Sequence, residues 1–154
     1  MFQLLLLLGV SVVLVYASYY DLKTHTVRSD VLVLIMLLGI LYLFNSSSMD
    51  ALSSFANIGL LLLIFGFPMA FNRSWGDILV IAILGLFIQS QTQLTVFLAM
   101  ILISAVVLAV VLLDRYGYFV HKKKIKDFEF AFIPAISIGF WSMMIHIFVN
   151  LYFV

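Results

Sequence analysis

YYDLKTHTVRSD, residues 19–30, is the first place where an otherwise apolar chain admits charge. Asp21 stands near its head, directly behind an apolar run of bilayer length. A carboxylate abutting such a run is costly to place, and residues of this kind usually mark a functional site, an ion path or a paired network. A second carboxylate answers it. In NRSWGD, residues 72–77, Asp77 comes immediately before the apolar run ILVIAILGLFI. These two carboxylates are expected to meet at one membrane face, with the rest of the chain bringing them together.

Composition supports the membrane setting. The 154 residues are 66% hydrophobic and only 10% charged, and the mean hydropathy is +1.26. So many apolar side chains cannot be hidden inside a soluble globule, so the chain reads as an integral membrane protein. Its net charge of +1 supplies no clustered basic face for nucleic acid. There is no cysteine, which excludes disulfides, thiolate zinc sites and a thiol nucleophile. The first apolar stretch has no positive n-region and runs on to Tyr20, which suits a spanning helix better than a removable signal.

Crossing a bilayer takes roughly 20 apolar residues. Six segments approach that length: 2–20, 30–45, 52–71, 76–89, 94–113 and 131–153. The second and fourth are short and must borrow polar flanks, tilt, or have their ends covered by neighbouring protein. The turns at 45–50 and 89–93 are brief, so consecutive helices are expected to be antiparallel neighbours. The predicted fold is all-α: one polytopic membrane bundle of six transmembrane helices, a single domain over 1–154. All eight Lys and Arg fall in the first, third and fifth connections, at Lys23, Arg28, Arg73, Arg115, Lys122, Lys123, Lys124 and Lys126. By the positive-inside rule those connections are cytoplasmic and both termini lie outside. Asp21 and Asp77 then share the cytoplasmic face; on opposite faces they would be about 30 Å apart.

Two carboxylates held close in a poorly hydrated site cannot both ionise cheaply, so the pair keeps a shared proton. One can then draw a proton from a water while the other protonates a peptide carbonyl, which is aspartic-protease chemistry and needs no metal or cofactor. Asp77, at the start of a helix, is expected to be the more readily ionised of the two, because backbone N–H groups there favour negative charge. Taken singly, either aspartate could be no more than a helix cap or a solvated loop residue. Gly76 lets the backbone before Asp77 come close to another element.

At these residues the sequence resembles the type IV prepilin and preflagellin peptidases, a family of GxGD-type membrane aspartic proteases. The family's first motif has the form D-x-[RK]-[ST]-R-x-[IV]-P-[ND]. Asp21, Lys23, Thr24 and Val27 match it in register, whereas His25 stands in place of Arg and Arg28 in place of the proline. The G-x-G-D motif reads Ser74-Trp75-Gly76-Asp77, with its first glycine lost. FAFIPAISIGF, residues 130–140, is similar to the Pro-containing stretch that opens the family's last helix. The resemblance implies an endopeptidase with Asp21 and Asp77 as its catalytic dyad. It implies removal of the short basic leader, a class III signal peptide, from prepilin-like or archaellin-like precursors at the cytoplasmic face of the cell membrane. The cysteine-bearing methyltransferase portion of the larger bacterial enzymes is not present in this sequence, so cleavage without N-methylation is expected.

Other residues have smaller expected parts. Asp30, Asp127 and Glu129 could form an acidic rim for a basic leader, or simply be wet loop residues. His25 and Lys23 flank the dyad in sequence and are candidate supporting residues. The run HKKKIK, residues 121–126, fixes topology and could hold anionic lipid headgroups. His146 and Asn150 share a helix face and are expected to hydrogen-bond. Histidines at 25, 121 and 146 lack the spacing of a metal site. Gly59, Gly66 and Pro68 are expected to give close packing and a kink in the third helix. Tyr19, Tyr20 and Trp75 suit an interfacial aromatic belt.

Two other functions compete. A small ion- or proton-coupled transporter would use the aspartates as ligands, although such sites usually lie near mid-membrane on broken helices. A catalytically inactive homologue would serve as a scaffold in a pilus or secretion machine.

Overall fold

The computed structural model describes residues 2–24, 26–66, 75–115 and 131–152. Every described regular element is helical, and each of the six apolar segments holds one helix. They are α1 (Phe2–Thr24), α2 (Ser29–Phe44), α3 (Ser48–Leu61), α4 (Trp75–Leu84), α5 (Gln91–Arg115) and α6 (Ile133–Tyr152). Helix α3 continues into a wider π-helical turn, Leu62–Gly66, and α4 into a tighter 3₁₀ turn, Gly85–Phe87. Helices α1, α5 and α6, and α3 together with its π turn to Gly66, are long and apolar enough to cross a membrane. Helix α2, with 16 residues, spans about 24 Å at 1.5 Å per residue, short of the roughly 30 Å hydrocarbon core.

Local sequence explains where helices begin. Ser47 accepts from the Asp50 N–H at 3.2 Å and caps α3, as a serine three residues ahead of an acidic group commonly does. Ser90 and Gln93 form a reciprocal capping box before α5: the Ser90 hydroxyl accepts the Gln93 N–H at 3.3 Å, and the Gln93 side-chain oxygen Oε1 accepts the Ser90 N–H at 3.3 Å.

Each helix buries one stripe. On α1 it runs Leu7, Val10, Leu14, Ala17 and Asp21, a spacing of three and four that keeps all five on one face. The intervening Val12, Val15, Tyr19 and Leu22 are exposed, as a lipid-facing surface requires. The most enclosed element is the first half of α6, where Ile133, Ala135, Ile136, Ser137 and Phe140 are all buried. Helix α6 packs on α5 and α1 and touches α4; α2 packs on α1 and α4, and α3 packs on α4.

That arrangement corrects the expectation that short turns make neighbours. Helices α2 and α3, and likewise α4 and α5, are joined by brief turns but are not closely packed pairs. A turn fixes only two helix ends, and the side contacts follow the buried stripes. Gly39 on α2 allows the approach of the α4 tail, because a Cβ there would lie 2.6 Å from Leu86 Cδ1. Tyr42 of α2 then meets Phe87 with ring centroids 5.1 Å apart, and Phe87 meets Phe140 of α6 edge-on at 5.8 Å.

The glycine assignments also change. Among the described residues nothing lies within 4 Å of a Cβ placed at Gly59 or Gly66, so no close packing of described elements rests on them. The tight contacts are at Gly39, at Gly85 against Ile58 and at Gly139 against Ile101 and Phe97. Pro68 lies outside the described residues.

The two ends of the bundle differ in chemistry. At one end Gln3 donates to the Asn45 carbonyl at 3.0 Å and Gln89 to the Ser46 hydroxyl at 2.5 Å, an uncharged cluster tying α1 to both turns. The carbonyl of Ile88, freed where α4 ends, accepts from Asn57 at 2.8 Å and Ser54 at 3.2 Å on α3. The other end carries Asp21, Arg28, Asp30 and Asp77.

Candidate active site

Asp21 extends the buried stripe of α1 and is only 4% exposed. The Ile133 backbone N–H, at the start of α6, donates to its Oδ2 at 3.0 Å. This N–H is one of the groups a helix start leaves without an intrahelical acceptor. The following Pro134 has no N–H to offer, and proline is tolerated in a first helical turn for that reason. One turn deeper, Ser18 of α1 and Ser137 of α6 share a hydrogen bond of 2.7 Å. Ser137 also reaches the Leu14 carbonyl at 3.4 Å. The helix that delivers Asp21 is thus fastened to the helix whose N-terminus meets its carboxylate.

Asp77 sits in the first turn of α4 and is half-buried. Asp21 lies 56 positions earlier in the sequence (77 − 21), and the two segments approach each other where Val27 packs on Gly76. Helices α1 and α4 are not a principal packing pair; α2 and α6, each of which touches both, hold them in place. Both carboxylates lie at a helix N-terminus, Asp77 within that of α4 and Asp21 against that of α6. The helix-dipole argument therefore does not single out Asp77.

Gly76 has a definite steric cause. A Cβ there would sit 3.0 Å from both Cβ and Cγ2 of Val27. The loop after Asp21 is thereby pressed onto the turn that carries Asp77. The loop is held at several further points. Thr24 donates to the Tyr20 carbonyl at 2.9 Å and shares a 2.9 Å hydrogen bond with Thr26. Arg28 donates from Nε and Nη2 to the two Asp30 oxygens at 3.0 and 2.8 Å, and from Nη1 to the Tyr16 hydroxyl at 3.0 Å. Its guanidinium lies 5.6 Å from the centroid of the Tyr20 ring. The hydrogen-bonded Asp30 carboxylate raises the guanidinium above its ordinary pKa.

Of the candidate supporting residues, Gly76 joins the dyad region, Lys23 is exposed at the end of α1, and Asp30 is engaged by Arg28. A paired Asp30 offers less free negative charge to a basic leader than the acidic-rim expectation assumed. His25, Ser74, Asp127, Glu129 and the basic run at 121–126 lie outside the described residues. Trp75 and Tyr19 are exposed as a belt would have them, whereas Tyr20 carries the Arg28 guanidinium. His146 and Asn150 do hydrogen-bond, at 3.0 Å along α6. Sequence reasoning missed the Ile133 amide and the Arg28 contacts. Pro134 was the available signal for the first, since it marks a helix start.

The fold defines a multi-pass membrane protein that carries a buried and a half-buried aspartate on separate helices. A family model described as the type IV leader peptidase family matches residues 8–112, well over half of the chain and including both aspartates. The chain belongs to that family, and so is a leader-peptidase-type protease acting on precursor proteins. Comparison with curated proteins and with solved structures gave no significant match.

Proposed function

We propose that this protein is an aspartic endopeptidase that removes the basic leader of prepilin-like or archaellin-like precursors at the cytoplasmic membrane face. Asp21 and Asp77 act as an acid and base pair on a water nucleophile, with six spans and both termini outside. What supports this reading is that Asp21 and Asp77, both within the family match, stand at one end of the apolar bundle, with the segment that follows Asp21 packed through Val27 on the glycine before Asp77. With one carboxyl protonated and the other ionised, the pair both activates water and protonates the scissile carbonyl. The position of both aspartates at helix ends favours peptide hydrolysis over transport, whose ion ligands usually lie near mid-membrane.

The test is cleavage of co-expressed precursors carrying class III leaders, in membranes, by the native chain and by Asp21→Asn and Asp77→Asn. Native cleavage that vanishes in both variants is the expected result. Asn variants that still cut, or a native chain that cuts none of several such precursors, would move transport or scaffolding to the front.

A further inference from the structure

Arg28 stands where the resembling motif has proline, and nothing in peptide hydrolysis by two aspartates requires a cation there. Yet its guanidinium is engaged on three sides: both Asp30 oxygens, the Tyr16 hydroxyl and the Tyr20 ring. Tyr16 and Tyr20 form a stacked pair on α1, with centroids 6.4 Å apart, and Tyr20 directly precedes Asp21. Asp30 lies in the first turn of α2. Val27, directly before Arg28, is the residue pressed on Gly76, next to Asp77. The chain of contacts therefore runs from the helix end bearing Asp21, through Arg28 and Val27, to the helix start bearing Asp77.

We propose that Arg28 is a positioning residue: its clamp on Tyr16, Tyr20 and Asp30 holds the α1–α2 loop on Gly76 and so sets the separation of Asp21 and Asp77. A proline in this place fixes φ through its own ring; here side-chain contacts hold the loop instead. A planar five-donor fork is needed to bond a carboxylate and a phenol while lying on a ring, and lysine cannot reproduce it. The proposal rests on the peptidase reading for its kinetic consequence but not for its geometry, so both are measured.

In the kinetic arm, Arg28→Ala and Arg28→Lys are compared with the native chain for precursor cleavage per folded molecule. The expected result is a kcat lower by about 10- to 100-fold, the scale on which displaced catalytic groups lose rate, with KM unchanged and no full recovery in the lysine variant. In the geometric arm, spin labels are placed through Leu22→Cys and Trp75→Cys. The chain has no cysteine of its own, and these exposed residues each neighbour one aspartate or the glycine before it. The label-to-label distance distribution is expected to be narrow with Arg28 and broadened or shifted with Arg28→Ala. An unchanged distribution overturns the proposal, as does undiminished kcat per folded molecule, a loss confined to KM, or full recovery by lysine. If the native chain cleaves no precursor, the peptidase reading fails while the distance arm still decides the clamp.

Discussion

Asp21 and Asp77 differ in how they are held, and that difference shapes what substitutions do. Asp21 is buried and accepts a backbone N–H from Ile133; Asp77 is half-buried beside a glycine that has no room for a side chain. Removing either carboxylate leaves no partner for proton transfer, so Asp21→Asn and Asp77→Asn should each lower cleavage by about 10²- to 10⁴-fold, the usual contribution of general acid–base catalysis. Precursor processing followed by gel shift reads this directly. Gly76→Ala forces a methyl group to within 3.0 Å of two Val27 atoms. Overpacking of this kind typically costs about 1–3 kcal/mol, and here it also displaces the loop behind Asp21. Reduced activity and a lower melting temperature in detergent are expected, with partial recovery on adding Val27→Gly, which removes both clashing atoms. Undisturbed activity in Gly76→Ala would show that the contact with Val27 is dispensable.

Among the helices, α4 depends most on close approach by others. Its tail is met by α2 at Gly39 and by α3 at Gly85, where a Cβ would lie 2.8 Å from Ile58 Cγ1 and 3.2 Å from Ile58 Cα. Backbone cannot retreat as a flexible side chain can, so Gly85→Ala should destabilise the bundle by about 1–3 kcal/mol. Gly59 on α3 meets nothing within 4 Å. Gly59→Ala should therefore be neutral, or gain the roughly 0.5–1 kcal/mol by which alanine exceeds glycine in a helix interior. Denaturation of the two variants in mixed micelles separates these outcomes, and equal destabilisation would contradict the packing described. The contrast also shows what was legible at this scale. The apolar runs gave the six helices to within a few residues at most ends, because hydrophobic length is a local property. Which glycine is pressed and which is free depends on the helix that arrives opposite it. Gly59 and Gly66 were therefore misread, and Gly39, Gly85 and Gly139 went unnoticed.

For the whole molecule, the confinement of every Lys and Arg to the first, third and fifth connections gives the topology a direct test. The absence of cysteine allows single cysteines to report accessibility. Cysteines replacing Ser46 or Thr92 should react with an impermeant thiol reagent in intact cells. Those replacing Thr26 or Trp75 should react only after the membrane is opened. The reverse pattern would place the aspartates on the outer face and remove the cytoplasmic site. In the proposed site α1 and α4 are held through α2 and α6, each of which packs against both, so the site depends on the bundle as a whole. Loosening α6 through Ser137→Ala, which deletes its bonds to Ser18 and to the Leu14 carbonyl, should lower precursor cleavage although Ser137 lies a turn away from the Asp21 carboxylate.

By itself the sequence determined the membrane setting, the six apolar segments, the confinement of the basic residues to alternate connections, and the two aspartates worth explaining. These follow from composition, span length and the cost of charge near lipid, all of which are read along the chain. The tertiary structure alone decided which helices are neighbours, that the α6 amide reaches Asp21 from 112 residues away, and that Arg28 grips two tyrosines and an aspartate. Those facts depend on side chains interlocking between segments remote in sequence, where neither periodicity nor turn length specifies the partner.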